Sequence, residues 1–365
     1  MPGPSRGWLR AAAAVLAAIG LLLAAGHLWQ PGLDRPATSP AGVPQPPAEQ
    51  PTGPPWPLPD GVEFAQPISG LAVTPAAVWI AYGTTVARLD PRSLRATASL
   101  QVTAAAGDVL LGTVRPIRGL AVGGSGGPGT GPPENRGRGA IWATLADPGA
   151  GLLRIDPATA RVVAAVPVPS VAPAAVSGSG VWVVCCGGET YLGPSQLVRV
   201  DPATNRVAAR IPLPGLPDAV GAGPSGVWVR AAAGPIWRID PATNRIAATV
   251  TVPHGLGGSQ GSVLVGEDAV WVSDPATATV LQVDPVRNRI VARGSIAGRA
   301  LAAAADGTVL ATSRGRVLGL GRGLVRSVHL DQLDGAYTTA LAAAGGTIWV
   351  AQSGMLLHVA QRGLR

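Results

Sequence analysis

The sequence predicts an all-β fold: a seven-bladed β-propeller of four-stranded blades, placed after an N-terminal membrane segment and a Pro-rich linker. Three observations predict it. A Val-Trp pair or a near equivalent recurs seven times from residue 61 onward. A nine-residue block recurs almost unchanged, as RIDPATARV at 154–162, RVDPATNRV at 199–207 and RIDPATNRI at 238–246. The chain also holds 50 Gly and 36 Pro in 365 residues, with 13% charged residues. That composition favours many short strands and turns over a helical bundle.

The chain begins with a short tail, residues 1–10, carrying Arg6 and Arg10. Residues 11–29, AAAAVLAAIGLLLAAGHLW, follow without an acidic residue, Lys or Arg. At about 1.5 Å per residue such a run can cross a hydrocarbon core of about 30 Å. The flanking Arg residues keep the tail in the cytoplasm and place the rest outside. The small residues before His27 also suit a cleaved signal peptide. The segment is therefore a signal anchor in a single-pass membrane protein, or a leader whose removal would leave the propeller secreted. Residues 30–60 form a linker. More than a third of residues 31–59 are Pro, which excludes helix and sheet and gives an extended spacer of about 3.1 Å per residue.

From residue 61 the repeat sets the architecture. The marks fall at Trp79, Trp142, Trp182, Trp228, Trp271, Leu310 and Trp349, spaced 63, 40, 46, 43, 39 and 39 residues apart. The long first gap holds GGSGGPGTGPPENRGRG at 123–139, a Gly-rich insertion. A period of roughly 44 residues is that of a four-stranded propeller blade. The third unit shows the four strands. APAAVSGSG gives a small-residue strand and a turn, VWVVC a strand apolar on both faces, QLVRVD an alternating strand, and RVAARIPL the last. The seventh unit ends one strand short. GVEFAQP at 61–67 belongs to no unit and is free to take the vacant outer place, which closes the ring and removes a sheet edge.

A Trp at a fixed place on the second strand, flanked by apolar residues, is expected to fill the space between neighbouring blades. In the DPATNR block the Asp follows one strand and the Arg opens the next, so the block is the hairpin between strands three and four. Asp caps the turn, Pro presets φ, and Asn accepts the left-handed conformation. The Arg that follows is placed to pair with the Asp, a contact worth little when exposed. One carboxylate is too few for a calcium loop. RLDPRSLRA at 88–96 and QVDPVRNRI at 282–290 are degenerate copies.

These residues resemble the bacterial YVTN-type seven-bladed propeller repeats, with streptogramin lyase-like and NHL-like propellers as relatives. The resemblance covers about residues 61–365, and RVLGLGRGLVRS in the sixth unit departs from it by lacking the Asp-Pro turn. It implies a fold that serves secreted binding proteins, sensor domains and a few enzymes. A lyase of that kind would imply a metal ion held by His and Glu at the channel mouth. After the linker the chain has His254, His329 and His358, and only His254 falls in a loop of that face.

In an up-and-down blade the 2–3 and 4–1 loops share the mouth face, and the 3–4 hairpins point the other way. The distinctive mouth loop is CCGGETYLGPSQ at 185–196, with Cys185, Cys186, Glu189 and Tyr191. The 4–1 loops add Asp218 and His254, and second-strand ends add Arg230, Asp147 and Asp274. These are the candidate ligand-binding residues. No catalytic set and no metal set is expected among them, and no cofactor. Cys185 and Cys186 are the two cysteines. Outside the membrane they can form a vicinal disulfide that stiffens the loop, or stand as two small buried thiols. The formal net charge is +8, and all 28 basic residues are Arg, scattered rather than clustered. That argues against a nucleic-acid partner. The expected role is a monomeric, non-catalytic scaffold for a protein or small-molecule ligand, with a lyase-like metal-dependent enzyme as the alternative.

Overall fold

The structure, a computed structural model, describes residues 60–64, 66–102, 116–123, 139–145, 151–185, 194–258, 261–296, 300–303, 309–313, 316–320, 325–329, 338–352 and 354–360. The chain divides into two units, Met1–Trp56 and Pro57–Arg365. The first lies outside the described residues, and the propeller belongs to the second. Among the described residues no helix is long and apolar enough to cross a membrane. The predicted segment at 11–29 falls outside them.

Blade 4 shows how the sequence makes a blade. Its strands run from the axis outward as Pro217–Gly223, Gly226–Ala231, Ile236–Asp240 and Arg245–Val250, each antiparallel to the next. The second strand, GVWVRA, is buried along nearly its whole length because neighbouring sheets cover both of its faces. The outer strand, RIAATV, alternates exposed and half-buried residues, since one face meets water. The inner strand is built of small residues because the strands crowd near the axis. A Cβ added at Gly221 would stand 2.6 Å from the Val263 carbonyl of blade 5.

Seven such sheets are present among the described residues, each antiparallel and four-stranded. The ring closes as the sequence predicts. Asp60–Glu63 pairs with Met355–Ala360 and supplies the fourth strand of blade 7. One departure is local: the inner strands of blades 3, 5 and 6 are short, Ala175–Ser177, Val263–Val265 and Leu301–Ala303.

The core is divided among the seams. Among the described residues seven apolar clusters each join one blade to the next. Trp79 packs with Ile117 and Ile141 of blade 2, and Trp142 with Val181 and Val183 of blade 3. Trp182 lies with Val227 and Val229 of blade 4, and Trp228 with Val270 and Val272 of blade 5. Trp271 packs against the cluster of Val309 and Ala311. Leu310 packs with Ile348 and Val350. Trp349 meets Val78 and Ile80 and so closes the circle. Trp79, Trp142, Trp182 and Trp228 are wholly buried. The repeated Trp is thus interblade core.

The DPATNR blocks form the 3–4 hairpins. In blade 3, Asp201 accepts bonds from the Ala203 N–H (2.9 Å) and the Thr204 hydroxyl (2.9 Å). Asn205 sits at φ 56° and its N–H returns to the Asp201 carbonyl (2.8 Å). The hairpin does more than turn. Arg199, opposite Trp182 in the ladder, places its guanidinium 5.4 Å from the centroid of that indole. Its Nη1 donates to the Pro241 carbonyl (2.7 Å) and to Asn244 Oδ1 (3.2 Å) in the hairpin of blade 4. Arg154 does the same to Pro202 (2.7 Å) and Asn205 (3.0 Å), and Arg238 to Pro285 (3.0 Å) and Asn288 (3.4 Å). The Arg that matters is therefore the one before the Asp, and it crosses to the next blade. The Arg after the Asp faces it in the ladder, as Arg206 faces Asp201 and Arg245 faces Asp240. In blade 5 Arg289 faces Asp284 likewise, and Asp284 also pairs with Arg287 inside the turn, at 2.8 Å.

A polar knot at the propeller mouth

The mouth face brings together three of the expected residues. Asp218 stands on the inner strand of blade 4, where the ladder skips from Pro217 to Ala219. Such a bulge re-aims the extra side chain, here toward Arg230. Arg230 is on the second strand of the same blade and is fully buried. Asp274 ends the second strand of blade 5, Val270–Asp274, and is 1% exposed.

Arg230 Nη1 donates to Asp218 Oδ2. Its Nη2 donates to Asp274 Oδ1 (3.1 Å) and to the Gly258 carbonyl (2.8 Å). Asp274 Oδ2 accepts from the Gly257 N–H and from the Thr277 hydroxyl, each at 2.7 Å. The Gly258 N–H donates to the Ala232 carbonyl (2.8 Å). One guanidinium and two carboxylates thus hold down the 4–1 loop between blades 4 and 5. The approach needs Gly at 257, where a Cβ would lie 2.6 Å from Thr277 Cγ2. A buried Arg requires such partners, because an unpaired charge out of water is costly.

Chemically the knot is inward-looking. Asp274 faces a guanidinium, a backbone N–H and a hydroxyl, so its lone pairs serve the fold, and Asp218 meets the same guanidinium through Oδ2. His254 sits in the same loop on a turn at φ 66° and is exposed. Among the described residues no group of three His, Cys, Asp or Glu is placed to hold a metal ion.

The other candidates lie on blade 3. Cys185 ends Gly180–Cys185, is fully buried and is disulfide-bonded. Cys186 is the one other cysteine in the sequence. Cys186, Glu189, Tyr191 and Asp147 lie outside the described residues. Beside Cys185 the preceding 4–1 loop is tied down by the Val171 N–H, which donates to the Val184 carbonyl (3.1 Å).

Sequence reasoning missed Gly257, Gly258 and Thr277. A signal was present. Residues 274–277 read DPAT, the letters of the hairpin block, but at the end of a second strand. There the Asp caps its own turn through Thr277 and also takes Arg230.

Fold and mouth together define a seven-bladed β-propeller protein. Comparison with protein-family models and with curated proteins finds no match. Solved structures do match it. Virginiamycin B lyase from Staphylococcus aureus is 15% identical, with a TM-score of 0.61 over 82% of this chain and 98% of that one. A catalytically inactive variant of that lyase with quinupristin is 16% identical, with a TM-score of 0.63 over the same shares. The β-propeller domain of Cps50 (Swd1) from Myceliophteria thermophila is 13% identical, with a TM-score of 0.59 over 83% and 99%. At these identities the likeness is one of fold.

Proposed function

We propose that the protein is a non-catalytic binding scaffold, tethered through residues 11–29 on the extracytoplasmic side of the cell membrane, or secreted if that segment is removed. Its mouth face receives a protein or small-molecule ligand. One observation carries the reading: the buried polar cluster of the mouth, Asp218–Arg230–Asp274, is engaged in holding a loop. A mouth built this way presents a fixed surface, which suits recognition. The linker at 30–60 supports the tether, since an extended Pro-rich chain carries a domain away from a surface.

The test uses the full chain. Its cell fraction is measured with and without residues 11–29, and recovery with membranes only when they are present is expected. Turnover of quinupristin is then assayed with and without divalent cations, because the structural likeness includes a lyase. No turnover is expected. Metal-dependent turnover that His254→Ala removes would overturn the scaffold reading in favour of the enzyme.

A further inference from the structure

The blade repeat gathers on one face the Arg residues that are scattered along the sequence. The 3–4 hairpins of blades 1–5 span residues 88–95, 154–161, 199–206, 238–245 and 282–289. They hold eleven Arg against five Asp, with no Lys or Glu, so this rim is basic. Each Asp carboxylate is taken up by its own turn, where it accepts from the N–H two residues on. Arg154, Arg199 and Arg238 are tied to the next hairpin. Arg88 makes the same tie through the Pro157 carbonyl (3.0 Å), in a hairpin with Ala160 at φ 54° in the place of Asn. The Arg that opens each fourth strand is exposed: Arg95, Arg161, Arg206, Arg245 and Arg289. Arg92 and Arg287, inside the turns, are exposed as well. Glu267 and Asp268 of the blade 5 1–2 turn, and Asp60 at the start of the N-terminal strand, are the other acids on this face among the described residues, and Arg still exceeds them.

Two further observations fall on the same face. Val286, at the tip of the blade 5 hairpin, is 83% exposed, the most exposed large apolar side chain among the described residues. Blades 2–4 have Ala at that place. Arg287 follows it directly and Arg289 lies two residues further, so an apolar tip stands beside two exposed cations. The other observation is where the chain enters the propeller. Glu63 pairs with Met355 at the mouth end of the third strand of blade 7, and Asp60 pairs with His358 toward its hairpin end. The N-terminal strand therefore begins on the hairpin face, and the linker joins the propeller there.

We infer that the hairpin face docks on an anionic lipid bilayer, the same membrane that holds the tether, with its exposed Arg on headgroup phosphates and Val286 in the headgroup region. The inference rests on the tethered reading above. A guanidinium offers phosphate a fork of N–H donors, and several on one face act together at a charged surface. An apolar side chain flanked by cations matches the layered chemistry of the bilayer interface. The linker enters on the face that carries the Arg rim, so tethering raises the effective concentration of that face at the surface. Docked in this way, the propeller turns its mouth away from the bilayer and leaves it open to a ligand.

The test uses the full chain in vesicles of phosphatidylcholine, alone or with an equal part of phosphatidylglycerol. An arginine-directed dicarbonyl reagent is added outside, and the labelling rate of each Arg is read by peptide mass spectrometry. With phosphatidylglycerol present, Arg206, Arg245, Arg287 and Arg289 should label several times more slowly. Arg118, exposed at the mouth end of the inner strand of blade 2, should label at an unchanged rate. Salt at 1 M, which shortens the screening length to about 3 Å, should restore the rates. Replacing Arg206, Arg245 and Arg287 together by Gln should remove the protection of Arg289. Recovery of the chain with phosphatidylcholine vesicles reads the tether by itself. Where that fails, the chain is added to preformed phosphatidylglycerol vesicles and the same rates are read, so loss of the tether and loss of the docking are separate results. The inference is overturned by equal rates in the two kinds of vesicle, by equal protection of Arg118, by protection that salt leaves intact, or by inorganic phosphate protecting the hairpin Arg as well on phosphatidylcholine.

Discussion

The two faces of the propeller each use an Arg to tie a loop, and they do so differently. On the hairpin face Arg154, Arg199 and Arg238 each reach a neutral carbonyl and a side-chain amide in the next blade. The tie repeats with the blade. On the mouth face Arg230 is fully buried between two carboxylates and a carbonyl. Among the described residues that arrangement occurs once. A contact that recurs with the period belongs to the architecture, and one that occurs once belongs to its own loops. The letters DPAT occur on both faces, so letters alone do not say which.

The comparison can be broken hardest at the mouth. Asp274→Ala leaves Arg230 short of a buried partner and frees the Gly257 N–H and the Thr277 hydroxyl. A loss of about 3–5 kcal/mol is expected, read by urea unfolding, together with faster hydrogen exchange at Gly257 and Gly258. A seam is opened to a similar extent by Trp182→Ala, expected to cost about 3–5 kcal/mol because a wholly buried aromatic side chain leaves a cavity. A loss below 1 kcal/mol would contradict the interblade role.

The hairpin tie itself is weaker. Arg199→Ala removes two charge-assisted hydrogen bonds and the contact with Trp182, a loss of about 2 kcal/mol. Gln282 occupies the same ladder position opposite Trp271 in blade 5, and Gln282→Ala should cost less than about 0.5 kcal/mol. Ala160→Asn is expected to raise stability by about 0.5–1 kcal/mol. Asn tolerates the left-handed backbone better than Ala and offers Arg88 an acceptor.

The smallest effect is one of pH. Backbone N–H bonds from the turn hold the carboxyls of Asp90, Asp240 and Asp284 below their ordinary pKa, the largest contributions coming from Ser93, Ala242 and Arg287. A carboxyl whose pKa is depressed by folding favours the folded state above the unfolded pKa of about 3.9. That contribution is lost as pH falls through the depressed values. The hairpins should therefore hold between pH 5 and 8 and loosen below about pH 4. Carboxyl titration by NMR checks the direction: values at or above 3.9 would be contrary.

The fold was legible because its signals are periodic. The Trp marks, the Asp-Pro turns and the missing last strand each repeat or break a repeat, so residues 61–67 are assigned to the vacant place from sequence, and the strand that fills it is Asp60–Glu63, against Met355–Ala360. The hairpin tie was not legible in the same way. Arg199 and Asn244 are 45 residues apart, and the block containing each reads locally as a strand end and a turn. Their connection needs the neighbouring blade. The mouth was partly legible. Asp218, Arg230 and Asp274 were singled out by position on the face, and the structure does gather them. His254 shares their loop and stays exposed. The groups that complete the knot are the backbone of Gly257 and Gly258, which no side-chain pattern announces.

The interblade tie is tested most directly by a double-mutant cycle on Arg199 and Asn244. Stabilities of the parent, Arg199→Ala, Asn244→Ala and the double variant give the coupling between the two positions. The structure predicts a coupling of about 0.5–1.5 kcal/mol, and near zero for Asp240 with Arg245 inside one hairpin. Losses that add to within about 0.3 kcal/mol for Arg199 and Asn244 would contradict it, and return the block to the role of a turn.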